Sequence, residues 1–277
     1  MRMISAAKIK QTVAKLCIQA NLELRTDVLS SLKSAYAKEK NKRAKDILGA
    51  IIKNARIAYD EKLAICQDTG MPIVFIDLGQ GVRVVGDLKS AINKGIELGY
   101  KSAALRNSIV GDPLNRVSSK FSPAAIHFDI AKGNRIKITV LPKGFGCENK
   151  SQLKMFKPTA KIDEIKKFIV DSVKAAGPDA CPPYVVGVGI GGTADYASLL
   201  AKKALLRKQG LSPKGTVHVL ERQLLSMINK LNIGPMGLGG KATALAVNIE
   251  TYPTHIAGLP VAVNISCHAL RSASAIL

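Results

Sequence analysis

Three cysteines occupy places where a thiolate could point into a cleft. Cys66 lies in CQDTG just before an apolar run. Cys181 lies in ACPPY, where two prolines end any helix, and Cys267 lies in VNISCHAL at the end of another apolar run. Thiolates are the protein ligands of iron–sulfur clusters. No local C-x-x-C spacing exists among them, so the residues alone leave two interpretations open: an iron–sulfur site, or inert buried thiols.

Other polar residues form a set suited to a small dicarboxylate. Arg106 can hold a carboxylate through two parallel N–H bonds, and Lys143 would add a mobile point charge. Gly146, together with Gly144, can expose backbone N–H groups to an anion. His255 can donate to a substrate oxygen or relay a proton. Each also has an ordinary structural alternative, such as a surface arginine or a structural histidine.

Gln67 and Asp68 directly follow Cys66 in the chain. They would therefore lie within a few ångströms of any metal bound by that thiolate. The alternative for Asp68 is the cap of a turn, since aspartate side chains commonly bind backbone N–H groups two residues on.

Two glycine patterns suggest nucleotide or phosphate binding but do not complete the motif. Gly187, Gly189 and Gly192 satisfy G-x-G-x-x-G, yet the acidic residue required about 20 positions on is missing, because the chain there reads LSPKG. Glycines that allow close backbone packing, or the approach of another ligand, are the alternative. The segment GPMGLGGKAT (234–243) is rich in glycine but does not match a P-loop.

Hydrophobic periodicity predicts the elements that must position these residues. Residues 1–60 read as three amphipathic helices. Further helices are predicted at 87–105, 162–176, 194–208 and 217–231, and strands at 71–79, 124–130, 135–141, 184–190, 242–250 and 260–266. The strands at 124–130 and 135–141 flank Lys132-Gly133-Asn134, which predicts a hairpin. The clearest predicted loop is 209–215.

The predicted fold class is mixed α/β, with a helical N-terminal region followed by a mixed β-sheet and flanking helices. The expected domain organisation is a single domain over 1–277, with 1–60 as its helical subregion.

Composition limits the function classes. The chain has 277 residues, 47% of them hydrophobic, and five cysteines, an odd number that argues against a disulfide framework. No apolar run approaches the roughly 18 residues of a membrane span, and the N-terminus lacks a secretory apolar core. We therefore expect a cytoplasmic protein that does not associate with membranes.

The net charge of +21, from 41 Lys and Arg against 20 Asp and Glu, indicates an anionic substrate or partner. Lysines are spread along the chain without a block of like charges, and aromatic residues make up only 4%. These features argue against nucleic acid as a partner. A basic nucleic-acid-binding or redox-sensing protein remains a distant alternative.

Five segments in order carry a resemblance to a known family. From about residue 40 to the C-terminus, the sequence resembles the N-terminal half of class I iron–sulfur fumarases. More closely, it resembles the alpha subunit of two-subunit class I fumarate hydratase and L-tartrate dehydratase. The segments are CQDTG (66–70), GFGCENKS (144–151), ACPPYVVGVGIGGTAD (180–195), LGGKATALA (238–246) and VNISCHALR (263–271).

The resemblance implies a [4Fe–4S] cluster held by Cys66, Cys181 and Cys267, with the fourth iron left open for substrate. Cys147 stands where the family usually has serine, which implies a thiol that is not a ligand. Asp68 is implied as a proton-transfer group, assisted by His255. The implied substrate contacts are Gln67, Asp68, Arg106, Gly146 and His255, to which the sequence itself adds Lys143.

The implied reaction is the reversible hydration of fumarate to malate by a hydro-lyase, with the dehydration of L-tartrate to oxaloacetate as the alternative. Single-chain members of the family continue into a second domain that supplies further substrate contacts and a base. We therefore expect a separate beta subunit, a heterotetramer of two alpha and two beta chains, and little activity from this chain alone. An open iron also implies sensitivity to oxygen.

Overall fold

The structure, a computed structural model, describes residues 1–211 and 213–277, so the predicted loop at 209–215 is described apart from Ser212. The chain forms two compact units. The first comprises Met1–Arg25, Ala55–Phe145 and Arg271–Leu277, and the second comprises Thr26–Asn54 and Gly146–Leu270. The expectation of a single domain over 1–277 stays a prediction.

Twelve strands, eight α-helices and one 3-10 helix (Pro235–Gly237) are found in the described residues. In chain order they are β1 (Arg2–Ser5), α1 (Ala6–Leu22), α2 (Thr26–Lys38), α3 (Lys42–Glu61), β2 (Met71–Gly79), β3 (Val82–Val85), α4 (Leu88–Ser102), β4 (Ile109–Val110), β5 (Ser119–Lys120), β6 (Ala125–Ala131), β7 (Ile136–Lys143), α5 (Phe145–Glu148), β8 (Gln152–Phe156), α6 (Ile162–Ala176), β9 (Tyr184–Gly192), α7 (Ala194–Leu206), α8 (Thr216–Asn229), β10 (Ala244–Thr254), β11 (Leu259–Ser266) and β12 (Ala273–Ile276). Every helix and strand predicted from periodicity is present, which confirms the mixed α/β class.

The first unit is built on a four-stranded mixed sheet against which α1 packs together with α4. The order of strands is β12-β7-β2-β6. Ser5 is the N-cap of α1, and its Oγ accepts a hydrogen bond from the backbone N–H of Lys8 at 3.2 Å. The buried residues of α1 at helical spacing, such as Ile9 and Val13, join Ile92 and Ile96 of α4 in one hydrophobic core.

The predicted hairpin between 124–130 and 135–141 is wrong, because β2 lies between β6 and β7. β2 pairs parallel with β6 and antiparallel with β7. Most residues of β2 are buried, which suits a strand with a neighbour on each side. In contrast, Phe128 and Ile130 of β6 are 54% and 74% exposed, as is tolerated at the edge of a sheet.

The second unit contains another four-stranded sheet, of order β10-β9-β11-β8. With the two-stranded sheets β1-β3 and β4-β5, the strands of the described residues form four sheets where one mixed sheet was predicted. Helix α7 packs on one face of β9, whereas residues of α6 and α8 join the core on the other face. Side chains alternate along β9: Val186 and Val188 enter that core, while Gly187 and Gly189 face α7.

Close contact with α7 explains why residues 187 and 189 of β9 are glycines. A Cβ atom at Gly187 would lie 2.1 Å from the carbonyl oxygen of Ala201, and one at Gly189 would lie 2.0 Å from that of Ala197. The backbone of α7 therefore rests directly on the strand, as only glycine permits. Close packing thus accounts for this part of the G-x-G-x-x-G pattern.

No helix in the described part of the chain combines the length and apolar character needed to cross a membrane.

Candidate active site

The 66–70 loop (CQDTG) lies between α3 and β2 and has neither helical nor strand structure. Cys66 within it is partly exposed. The carboxylate of Asp68 accepts two backbone hydrogen bonds, from Gly70 at 3.0 Å and from Phe145 at 2.9 Å. Asp68 therefore closes a turn, as the structural alternative predicted, and also ties the loop to the end of β7.

Arg106 is tied to the same loop. The hydroxyl of Thr69, a residue only 2% exposed, accepts a hydrogen bond from the backbone N–H of Arg106 at 3.1 Å. The side chains of Arg106 and Gln67 are both exposed. The first unit thus brings the predicted carboxylate clamp next to the loop that carries Cys66 and Asp68.

Sequence reasoning missed two buried residues that contact the loop. Tyr100 of α4 lies with its hydroxyl 3.1 Å from the carbonyl oxygens of both Thr69 and Gly70, and Arg271 donates from Nη2 to the carbonyl oxygen of Asp68. Arg271 belongs to the segment VNISCHALR, and membership in that segment was the one sequence feature that could have pointed to it. Tyr100 sits on a regular helical face, where nothing in the pattern marks it.

Lys143 differs from the expectation of a mobile charge. It is the last residue of β7, pairs in register with Met71, and is only 1% exposed. Its position is therefore fixed by the sheet. Gly146 lies in the single turn of α5 and is exposed, which leaves its backbone accessible, as the anion-binding role requires.

The second unit brings Cys181 and Cys267 together through the intervening His268. His268 donates to the carbonyl oxygen of Cys181 from its backbone N–H at 3.4 Å and from Nδ1 at 3.0 Å. Both cysteines are partly exposed. Cys181 has φ +56°, which is uncommon for a residue with a Cβ atom and is concentrated at functional sites.

His255 occupies the exposed turn between β10 and β11. Its Nδ1 accepts a hydrogen bond from the backbone N–H of Ala257 at 3.1 Å, so the neutral imidazole carries its proton on Nε2. The hydroxyl of Thr254 donates to the carbonyl oxygen of Gly192 at 3.1 Å. This contact places the histidine turn at the end of β9, beside the segment IGGT.

The two remaining cysteines are buried. Cys17 lies inside α1, and burial raises the pKa of its thiol to about 12. Cys147 is 5% exposed, and its Sγ donates to the carbonyl oxygen of Ala180 at 3.3 Å. Neither environment favours the thiolate form that binds iron.

Within residues 1–211 and 213–277, no three His, Cys, Asp or Glu side chains are grouped so as to hold a metal ion, and no cysteine forms a disulfide. The fit with an iron–sulfur cluster therefore depends on the donor set: three partly exposed thiols, the class of ligand that such clusters take.

The glycine-rich segment 234–243 binds a carboxylate of its own chain. The backbone N–H of Lys241 donates to Oε2 of Glu39 at 2.7 Å, and that of Gly240 donates to Oδ1 of Asn232 at 3.0 Å. These two donors are therefore occupied by groups of the second unit, and the segment has a structural role.

Comparison with known proteins agrees with the resemblance. The family model for fumarate hydratase (Fumerase) matches residues 10–276. A Methanocaldococcus jannaschii protein with the provisional name L(+)-tartrate dehydratase subunit alpha is 43% identical over 275 residues, covering 96% of each chain. The L(+)-tartrate dehydratase subunit alpha of Escherichia coli is 30% identical over 269 residues, covering 95% of this chain and 89% of its own. The chain therefore belongs to the fumarate hydratase (Fumerase) family and is a hydro-lyase subunit of the alpha type.

Proposed function

We propose that this chain is the cluster-bearing subunit of an enzyme that reversibly hydrates fumarate to malate. The observation that carries the proposal is the hydrogen bond of 3.1 Å from the backbone N–H of Arg106 to the Thr69 hydroxyl, because it ties the backbone of an arginine to the loop that bears Cys66. A carboxylate clamp beside a thiolate ligand is what the binding of a dicarboxylate to an iron–sulfur centre requires.

The cofactor that we propose is a [4Fe–4S] cluster held by Cys66, Cys181 and Cys267. Their partial exposure, the link between Cys181 and Cys267 through His268, and the unusual φ of Cys181 support this assignment. When bound, an iron with an open position would supply Lewis acidity toward the hydroxyl and carboxylate oxygens of the substrate.

Side chains of this chain would bind the substrate and transfer protons. Arg106 binds a substrate carboxylate, and Gln67 and Gly146 contribute polar contacts. Asp68 moves a proton on the hydroxyl side, and Nε2–H of His255 donates to a substrate oxygen. Lys143, whose position is fixed by its burial at the end of β7, would place its amine as a further polar contact for the substrate.

A partner chain completes the proposal. Both relatives are named subunit alpha, which supports a beta subunit that supplies the base for the C–H proton. We propose a cytoplasmic heterotetramer of two alpha and two beta chains.

L-tartrate is the second candidate substrate, and the names of the two relatives favour it. The same ligands and clamp would serve both reactions, since malate and tartrate differ by one hydroxyl group. A site built to bind that hydroxyl discriminates by as much as about 10⁴-fold against a substrate that lacks it. The ratio of kcat/KM values therefore decides between the candidates.

The test is anaerobic reconstitution of the chain with ferrous iron and sulfide in the presence of a beta chain. We expect a brown chromophore and activity with fumarate and malate. The activity should be lost in air and restored by ferrous iron with a thiol reductant. A kcat/KM at least about tenfold higher for L-tartrate would assign the second candidate. A complex that forms no chromophore would contradict both.

A further inference from the structure

The 66–70 loop has no helix or strand to define its shape, so side-chain contacts must define it. Its three consecutive carbonyl oxygens, those of Asp68, Thr69 and Gly70, are all within hydrogen-bonding reach of two side chains. Arg271 donates to the first of them, and Tyr100 lies 3.1 Å from the second and the third. Two residues from distant parts of the chain therefore bind the backbone of this loop.

Both donors are buried. Tyr100 is 1% exposed and Arg271 is 3% exposed, so water cannot replace these hydrogen bonds if they are lost. Burial also raises the pKa of the Tyr100 hydroxyl, which keeps its proton and stays a donor.

The guanidinium of Arg271 has a second unusual feature. Its Nε is buried and has no hydrogen-bond partner among the described residues. A buried guanidinium with an unsatisfied donor costs free energy, and such costs are commonly retained where function requires them.

We propose that Tyr100 and Arg271 are positioning residues that hold the 66–70 loop from its buried side. Because Thr69 also binds the backbone of Arg106, the same two residues set the position of the carboxylate clamp. The fixed loop is a property of this chain alone, whereas its consequence for a dicarboxylate rests on the function proposed above.

The first experiment needs neither cluster nor partner. Tyr100→Phe removes one hydroxyl, and Arg271→Met removes the guanidinium while keeping an unbranched side chain. The rate of iodoacetamide alkylation of each cysteine is measured in the full-length chain by peptide mass spectrometry. We expect Cys66 to react about five- to tenfold faster in both variants, and Cys181 to react at its original rate, because only the loop is released.

Thr139→Val is the matched control. The hydroxyl of Thr139 lies 2.8 Å from that of Ser274 in the same unit, so this variant loses a hydrogen bond of a buried side chain without touching the loop. Its Cys66 should react at the wild-type rate. Equal acceleration in the control, or of every cysteine in the two test variants, would show general destabilisation and overturn the proposal.

The second experiment uses the reconstituted complex. We expect kcat/KM to fall about 10- to 100-fold in Tyr100→Phe and Arg271→Met, with Arg271→Lys partly rescued because an ammonium can still donate to a carbonyl oxygen. Wild-type kcat/KM in Tyr100→Phe would overturn the positioning role. An inactive wild-type complex would instead contradict the proposed function, while the alkylation result would still decide whether the loop is held.

Discussion

The five cysteines differ in how far solvent reaches them. Three are partly exposed and lie where helices or strands end, whereas Cys17 and Cys147 are buried. Burial in apolar surroundings disfavours the thiolate, which is the form that binds iron. Exposure alone therefore separates the proposed ligands from the other two thiols.

Serine substitution tests this separation. In Cys66→Ser, Cys181→Ser and Cys267→Ser we expect no stable cluster, because a hydroxyl at neutral pH does not replace a thiolate. Cys147→Ser should keep the cluster and lose only about 1 kcal/mol of folding free energy. Visible absorption and iron content after anaerobic reconstitution measure the first effect, and urea unfolding measures the second. Loss of the chromophore in Cys147→Ser with Cys267→Ser unaffected would reverse the assignment of the third ligand.

The structure shows how the Asp68 carboxylate is held. A carboxylate that accepts two backbone N–H groups is held in one orientation, since both of its oxygens are engaged. Such a group can orient a loop and still face a substrate with its remaining lone pairs. The capping and catalytic interpretations of the sequence are therefore compatible at this residue.

Among the elements, local patterns predicted more than long-range ones. Helix α6 was predicted with its observed bounds, and α4, α7 and α8 within three residues of theirs, because apolar spacing along one segment defines a helix. The hairpin of β6 and β7 was wrong because the order of strands in a sheet depends on pairing between distant segments, and here β2 pairs with both of them and lies between them. Strand β8 was not predicted, because it has only five residues and the alternation of Leu153 and Met155 with polar neighbours is too short to distinguish a strand.

In the candidate site too, local sequence features predicted some residues, whereas contacts between distant segments were not predicted. Residue type and motif identified Cys66 and Arg106, whose side chains would do the chemistry. Tyr100 and Arg271 form hydrogen bonds to backbone carbonyl oxygens. Every residue has such an oxygen, so no sequence pattern predicts these contacts. Only the folded arrangement of α4 and the segment before β12 reveals them.

The packing of α7 on β9 leads to a prediction about stability. In Gly189→Ala the new Cβ would lie 2.0 Å from the carbonyl oxygen of Ala197, so the helix must move away from the sheet. We expect a loss of about 2 kcal/mol or more in the free energy of unfolding, measured with urea.

Gly258→Ala is the matched control for that variant. No heavy atom lies within 4 Å of the added Cβ, and the backbone there does not require glycine. Its free energy of unfolding should stay within about 0.5 kcal/mol of the wild type. A Gly189→Ala protein as stable as this control would show that α7 does not rest on the strand.

Glu39 joins α2 to the glycine-rich segment and predicts a pH effect. Burial alone would raise the pKa of its carboxyl, but hydrogen bonds from the backbone N–H groups of Asn41, Lys241 and Lys40 outweigh burial and lower it below its ordinary value of 4.5. The ionised form therefore stabilises the fold above about pH 4.5. This contribution is lost as the pH falls through the lowered pKa of the folded state.

Glu39→Gln measures that contribution. At pH 7 we expect the variant to be about 1–3 kcal/mol less stable than the wild type, and the difference should shrink below pH 4.5 as the wild-type carboxyl takes up a proton. Urea unfolding at several pH values gives both numbers. The exposed Glu61→Gln should show no such difference at any pH. A difference in unfolding free energy between Glu39→Gln and the wild type that stays constant down to pH 3 would contradict the proposed role of the Glu39 carboxylate.

For the whole molecule, the net charge of +21 constrains its partners. A surplus of this size repels a second copy of the same chain at long range and attracts acidic surfaces, which speeds encounter with them. An acidic beta chain would satisfy this condition, and so would nucleic acid, although through different contacts. The dependence of binding on salt and on the identity of the partner separates the two.

We therefore predict that the chain binds its beta partner with a Kd that rises at least about tenfold between low and high salt, because exposed charges are screened within about 10 Å at 0.1 M ionic strength. Binding is measured by titration calorimetry with a purified beta chain, under anaerobic conditions. Random-sequence duplex DNA serves as the comparison and should bind only weakly at physiological salt, with a Kd of about 10⁻⁶ M or weaker, since a basic surface alone gives no more than non-specific affinity. Salt-independent binding to the beta chain would show that the positive charge has no part in assembly. Tight, salt-dependent binding to DNA with none to the beta chain would instead favour the nucleic-acid alternative.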